Sequence, residues 1–305
     1  MQEPLFEAIL TNHYPLLRRS LEAGGDVHAR NESGSQALHA AAALGNPAMI
    51  RLLLSHGADV CAPDAWGNTA LHVAAMHGNE EACEELLLAG APPDAVSEQR
   101  AWTPLMLAIN HGHIALAERL ISQGADTNFC DAREGWTPLL VACDQGLADF
   151  CLRLIRRGGR TDAVVKAGDS RGRSAIHLAA YFGDVDLMAV LLARGARIDQ
   201  LPIGGGLGAI HWAVYNGHLP LLQFLLEQGA NPDLRATGIY QLRSPLHYAV
   251  SDRREDMVQL LLEYHANPLL PDSEGISPLE MAINRLRETQ ESRIREIAEM
   301  LEAHV

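Results

Sequence analysis

Apolar residues along this chain recur in short blocks separated by polar turns. In the block Asn68-Thr69-Ala70-Leu71-His72-Val73-Ala74-Ala75-Met76-His77-Gly78, a hydroxyl residue opens an apolar stretch and glycine closes it. Aligned on its leucine, the block returns at Leu5, Leu38, Leu71, Leu105, Leu139, Ile176, Ile210, Leu246 and Leu279, at steps of 33, 33, 34, 34, 37, 34, 36 and 33 residues. Nine copies in one register mark an array of a single supersecondary unit.

Each copy predicts a short helix. Thr69, Thr103, Thr137, Ser174, Ser244 and Ser277 stand where a hydroxyl caps the first free amides. Pro104, Pro138, Pro245 and Pro278 follow at the first helical position, where a missing N–H is harmless. The pairs Ala41-Ala42, Ala74-Ala75 and Ala179-Ala180 leave room for a close neighbour, and Gly45, Gly78, Gly112, Gly146, Gly183 and Gly217 end the helix. A second apolar pattern, such as Met49, Ile50, Leu52, Leu53 and Leu54, predicts a second helix, stopped by Gly57-Ala58-Asp59, Gly124-Ala125-Asp126 or Gly229-Ala230-Asn231.

These Thr-Pro-Leu-His, Gly-His and Gly-Ala-Asp elements resemble the ankyrin repeat family over essentially all 305 residues. The resemblance implies an all-α solenoid of about nine helix-turn-helix units, each with a β-hairpin finger, forming a curved hand with a concave face. One domain, 1–305, is expected, with an N-terminal cap repeat at 1–30, inner repeats at 31–271 and a C-terminal cap repeat at 272–305. The final helix, with Ile294, Ile297, Ala298 and Leu301 on one side, fits a cap, and no residues are expected to remain for a further domain. Met106 and Leu140 replace the signature histidine, so the bond it makes within its repeat is expected to be lost there. Gly208 stands where Thr is usual, Arg253 replaces a helix-ending glycine, and the run Gly204-Gly205-Gly206 predicts a flexible finger because a phosphate-loop ending is absent.

Composition narrows the function. A net charge of −14 disfavours a nucleic-acid backbone or an anionic membrane and leaves a basic or mixed-charge protein as the easier partner. No apolar run approaches a bilayer span, and Met1-Gln2-Glu3-Pro4 lacks a leader's features, so a cytoplasmic location is expected. Cys61, Cys83, Cys130, Cys143 and Cys151 form no CxxC pair and read as free thiols. Of 24 cationic residues only Lys166 is lysine. GC-rich codon usage accounts for that bias, and depletion of ubiquitin acceptors in an effector active in a host cytosol is the sharper alternative.

Fourteen histidines invite thoughts of metal or acid–base chemistry, but His39, His72, His177, His211 and His247 are signature positions, and His113 and His218 follow the turn glycine. No nucleophile with a base, paired carboxylates or phosphate loop recurs, so no catalytic, cofactor or metal site is expected. The resemblance implies contacts at finger tips and at the ends of first helices. Carried onto this chain, those positions are Trp66, Met76 and His77; Arg100, Trp102, Asn110 and His111; Trp136, Asp144 and Gln145; Arg171, Arg173, Tyr181 and Phe182; Tyr215; and Tyr240 and Arg243. Asn68, Asn216, Arg133, Glu134, Ser251 and Asp252 flank them, while Glu32, Ser33, Ser35, Ala43 and Leu44 at the same places in the early repeats are plain. Trp, Tyr and Arg are the usual interface anchors.

The expected function is therefore a non-enzymatic protein-interaction module, an adaptor, inhibitor, effector or toxin neutraliser, monomeric by itself, that holds a protein partner in its groove. The alternative is a binder of a small molecule or modified peptide in a local pocket of His77, His111, Trp102, Trp136 and Asp144.

Overall fold

The structure, a computed structural model, describes residues 3–168 and 171–305. Met1 and Gln2, assigned to the N-terminal cap, lie outside the described residues. Among the described residues eighteen α-helices follow one another as helix–turn–helix pairs. The first helices, numbered in chain order, are α1 (Glu3–Leu10), α3 (Ala37–Leu44), α5 (Ala70–His77), α7 (Pro104–Asn110), α9 (Pro138–Asp144), α11 (Ala175–Phe182), α13 (Ala209–Tyr215), α15 (Pro245–Ser251) and α17 (Pro278–Thr289). The second helices are α2 (Tyr14–Glu22), α4 (Pro47–Ser55), α6 (Glu80–Leu88), α8 (Ile114–Ser122), α10 (Ala148–Arg156), α12 (Val185–Ala193), α14 (Leu219–Glu227), α16 (Glu255–Glu263) and α18 (Ser292–Glu302). None of the described helices is long and apolar enough to cross a membrane.

The chain divides into two compact units, Met1–Arg133 with Arg157–Gly159, and Glu134–Arg156 with Arg160–Val305. In the first, α1, α3, α5 and α7 stack side by side while α2, α4 and α6 form a second layer. In the other, α9, α11, α13, α15 and α17 stack, with α10, α12, α14, α16 and α18 as their second layer. The repeat leucine sits where the layers meet. Leu38, Leu71, Leu105, Leu139, Ile176, Ile210 and Leu246 are all buried, each contributing about 2 kcal/mol of transfer free energy. Ala41, Ala42, Ala74 and Ala75 are fully buried, because a methyl group is all that fits between first helices this close.

The signature histidine holds neighbours together as well as its own turn. His72 accepts at Nδ1 from the Thr69 backbone N–H, 3.1 Å away, and its Nε2 donates to the Trp102 carbonyl in the next repeat at 3.1 Å. His39, His177, His211 and His247 repeat both arms, onto the carbonyls of Asn68, Gln200, Arg243 and Ile276. The expectation of a bond confined to one repeat therefore saw only half of it. Where Met106 and Leu140 stand instead, the Thr103 and Thr137 hydroxyls accept from the amides of those residues as ordinary helix caps.

A second set of bonds ties each turn to the next. Asn79 donates to the carbonyls of Ala42 and Ala43, His113 to Met76, and His218 to Tyr181. These side chains lie against the turn glycines: a Cβ on Gly78 would sit 2.5 Å from His113 Nδ1. Glycine is required there for the approach as much as for its φ of +72°.

The expected β-hairpin fingers are absent among the described residues. Two isolated bridges, Arg30 with Gln36 and Val164 with Ser174, are the only β pairing among the described residues. Several loops close on a single short rung, such as Asp64 N–H to the Asn68 carbonyl at 2.8 Å, where the next residue, Thr69, already begins the helix turn. Such a loop has no length left for a ladder. Aspartate supplies the missing bonds, with Asp64 Oδ1 accepting from the amides of Trp66 and Asn68, both at 2.8 Å. The glycine run at 204–206 is tied to the eighth repeat, since Gly206 accepts from the Thr237 amide and donates to its hydroxyl. Gly208 has a packing reason, because a Cβ there would meet Leu234 at 2.8 Å.

Candidate functional site

Loops and first-helix ends carry the side chains that the stack does not bury, and the two units present them differently. In the first unit a cavity of about 370 Å³ opens between the loops and helices α3 and α5. Its apolar lining is Ala40, Ala43, Val73 and Met76; its polar lining includes Asn31, Ser35, Asp64, Asn68, His77 and Gln99; Trp66, 46% exposed, also lines it. His77 donates from Nδ1 to the Val73 carbonyl at 2.9 Å, so in the neutral ring Nε2 is left as an acceptor.

In the second unit the same positions carry large rings. Tyr181 meets Phe182 and Trp212 edge-on at 5.1 and 5.2 Å, Trp212 meets Tyr215 at 5.9 Å, and Tyr215 meets Tyr248 at 6.2 Å. Tyr181, Phe182 and Tyr215 are exposed, whereas Trp212 and Tyr248 are buried behind them. The Arg173 guanidinium lies over the Trp212 ring, 5.0 Å from its centroid. Burial pushes the half-buried Asp144 carboxyl up, and the charge of Arg173 partly opposes the shift. Burial likewise pushes the Tyr248 phenol up to about 12.

Of the three loop tryptophans, only Trp66 is exposed. Trp102 is buried with Arg100 over its ring at 5.4 Å, and Trp136 is buried with its Nε1 donating to Glu134 at 3.0 Å. His111 is exposed beside His113, and burial with nearby positive groups lowers its pKa. Asn110 is half-buried and Gln145 exposed, both already engaged with neighbours. Arg171 is exposed on its loop. Tyr240 ends a single 3-10 turn, Gly238–Tyr240, and Arg243 pairs with Asp272 at 3.4 Å.

The cavity thus unites Trp66, Met76 and His77, while the ring series unites Arg173, Tyr181, Phe182 and Tyr215. Sequence reasoning missed Ala40, Val73, Trp212 and Tyr248. All four are the residue directly after the signature histidine, and that register was the readable signal. Where the residue is Ala or Val a cavity opens, and where it is Trp or Tyr the same space is filled. Ser35 and Ala43, read as plain, line the cavity because small side chains leave its volume empty.

A family model described as ankyrin repeats (3 copies) matches residues 5–97, 78–163, 105–202, 149–236 and 210–301. Among curated proteins none matches the chain.

Proposed function

The chain belongs to the ankyrin repeat family, and from that premise we propose that it is a non-enzymatic protein-interaction module whose partner lies along the loop tips and first-helix ends. The observation that carries this reading is solvent exposure of large anchors at those positions: Trp66, Tyr181, Phe182 and Tyr215 are each more than 40% exposed. Rings standing out from a rigid frame lose little entropy on binding, and such residues dominate interface energies. The charge of −14 favours a basic or mixed-charge partner over nucleic acid or an anionic membrane. An adaptor, inhibitor or effector role, action in the cytoplasm and a monomeric state belong to the same reading.

Affinity capture tests it, with the native chain beside Trp66→Ala and a Tyr181→Ala, Phe182→Ala, Tyr215→Ala variant of unchanged thermal stability. Loss of a captured protein by either variant supports the reading. Equal retention by all three moves the interface elsewhere. A small-molecule reading draws support from the 370 Å³ cavity, which falls in the range of ligand sites, although of the residues expected for it only His77 lines that space.

A further inference from the structure

The cavity in the first unit has a one-sided chemistry. Among the described residues Asp64 is the only one with a charged side chain lining it, and it is buried to more than nine-tenths and forms no ion pair. Its Oδ1 holds the turn amides of Trp66 and Asn68, and its Oδ2 accepts only a 3.3 Å bond from Asn68 Nδ2. His77 adds a free acceptor at Nε2, Gln99 an amide, and Trp66 an exposed ring. Alanine, valine and methionine complete an apolar wall. Among the described residues no lysine or arginine lines the space.

We propose that this cavity takes a cationic side chain, arginine before lysine, from the partner segment docked on this face. The inference rests on the protein-binding reading of that face. An alkyl stem fits against Ala40, Ala43, Val73 and Met76, a planar guanidinium stacks on indole, and its remaining N–H groups meet acceptors near an uncompensated carboxylate. Two other places on the molecule show the contrast. On the ring series of the second unit, Arg173 already covers Trp212. In the groove between α6 and α8, the carboxylates of Glu80 and Glu84 are already paired with Arg119. Beside Trp66 the nearby cations Arg30 and Arg133 are spent on the backbone carbonyls of Gly34, Pro63 and Gln99, and neither pairs with the Asp64 carboxylate.

The test titrates the full chain with N-acetyl-arginine amide, N-acetyl-lysine amide and the neutral isostere N-acetyl-citrulline amide, following the Trp66 indole and His77 ring resonances. Arginine amide should give saturable millimolar binding that weakens with added salt, and the citrulline compound should bind at least about tenfold more weakly, a gap of roughly 1.4 kcal/mol. Asp64→Asn, which keeps an acceptor for the turn amides, should bring arginine down to the citrulline level. Ala40→Leu narrows the space at its apolar wall without touching any of these bonds and should weaken the arginine shifts even if the Asp64 variant does not fold. Equal binding of arginine and citrulline, or an arginine response left unchanged by Ala40→Leu, overturns the proposal. If captured partner still depends on Trp66 while arginine amide gives no shift, the cationic inference fails and the interaction reading stands.

Discussion

The imidazole Nε2 of His72 lies 3.1 Å from the backbone carbonyl oxygen of Trp102, thirty residues further along. Its other nitrogen already accepts from the Thr69 backbone N–H, and the Thr69 hydroxyl lies 2.9 Å from the same atom. The ring is therefore fixed as the Nε2–H tautomer and has no place for a second proton.

This makes the stack acid-sensitive. Burial pushes His72, His177 and His211 down to about 4 and lowers His39 and His247 as well. Above the unfolded value of about 6.5 both states are neutral and the stability is fully present. Between about 6.5 and 4 the unfolded chain takes up protons that the fold refuses, so stability falls, by roughly 2 kcal/mol per deeply buried ring near pH 5. Thermal melts across this range should show a falling midpoint. His211→Met, which copies what the chain itself carries at Met106, should flatten the dependence; an unchanged slope would refute the assignment.

Two turn glycines separate backbone strain from packing. Gly78 and Gly112 have nearly the same φ, +72° and +75°, but only Gly78 has a side chain against it. Gly112→Ala should cost about 1 kcal/mol, the left-handed penalty alone. Gly78→Ala should cost roughly 1–2 kcal/mol more, because His113 must leave its bond to Met76. Equal losses in denaturant unfolding would show that the contact is unimportant.

Arg253 adopts the glycine conformation at its turn, with φ of +56°. Its exposed pairing with Glu291 at 3.2 Å returns little. Arg253→Gly should leave the protein as stable or raise its stability by up to about 1 kcal/mol. A clear drop in melting temperature would mean that the ion pair matters more than the strain.

The cysteines should react unevenly. Cys61 is exposed, whereas Cys83 is buried and its thiol is pushed up to about 12. Cys143 and Cys151 are buried with their sulfurs 3.5 Å apart. A maleimide pulse on the native protein should label Cys61 well before Cys83, Cys143 and Cys151. Fast labelling of either member of the close pair would show that the α9–α10 turn opens readily.

Most of the fold is readable because each repeat states its own local rules. Thr69, Pro104, Gly78 and Leu71 act through backbone geometry and burial that depend on a few neighbours in sequence. What sequence could not supply was anything set by the adjoining repeat. The histidine arm to Trp102 and the bond from His113 back to Met76 both depend on contacts thirty or more residues away. Candidate site residues were legible as positions, but whether a ring at such a position stands out or lies flat depends on its neighbour's bulk.

The residue that follows each signature histidine takes no part in the bonds by which that histidine joins one repeat to the next. Ala40, Val73, Trp212 and Tyr248 hold that place in four repeats. Holding the repeats together and filling or emptying the space beneath the surface are thus assigned to adjacent letters of the same helix. Exchanging the second rewrites what the surface offers while the first keeps the spacing, so recognition in this protein can change one repeat at a time without renegotiating the architecture.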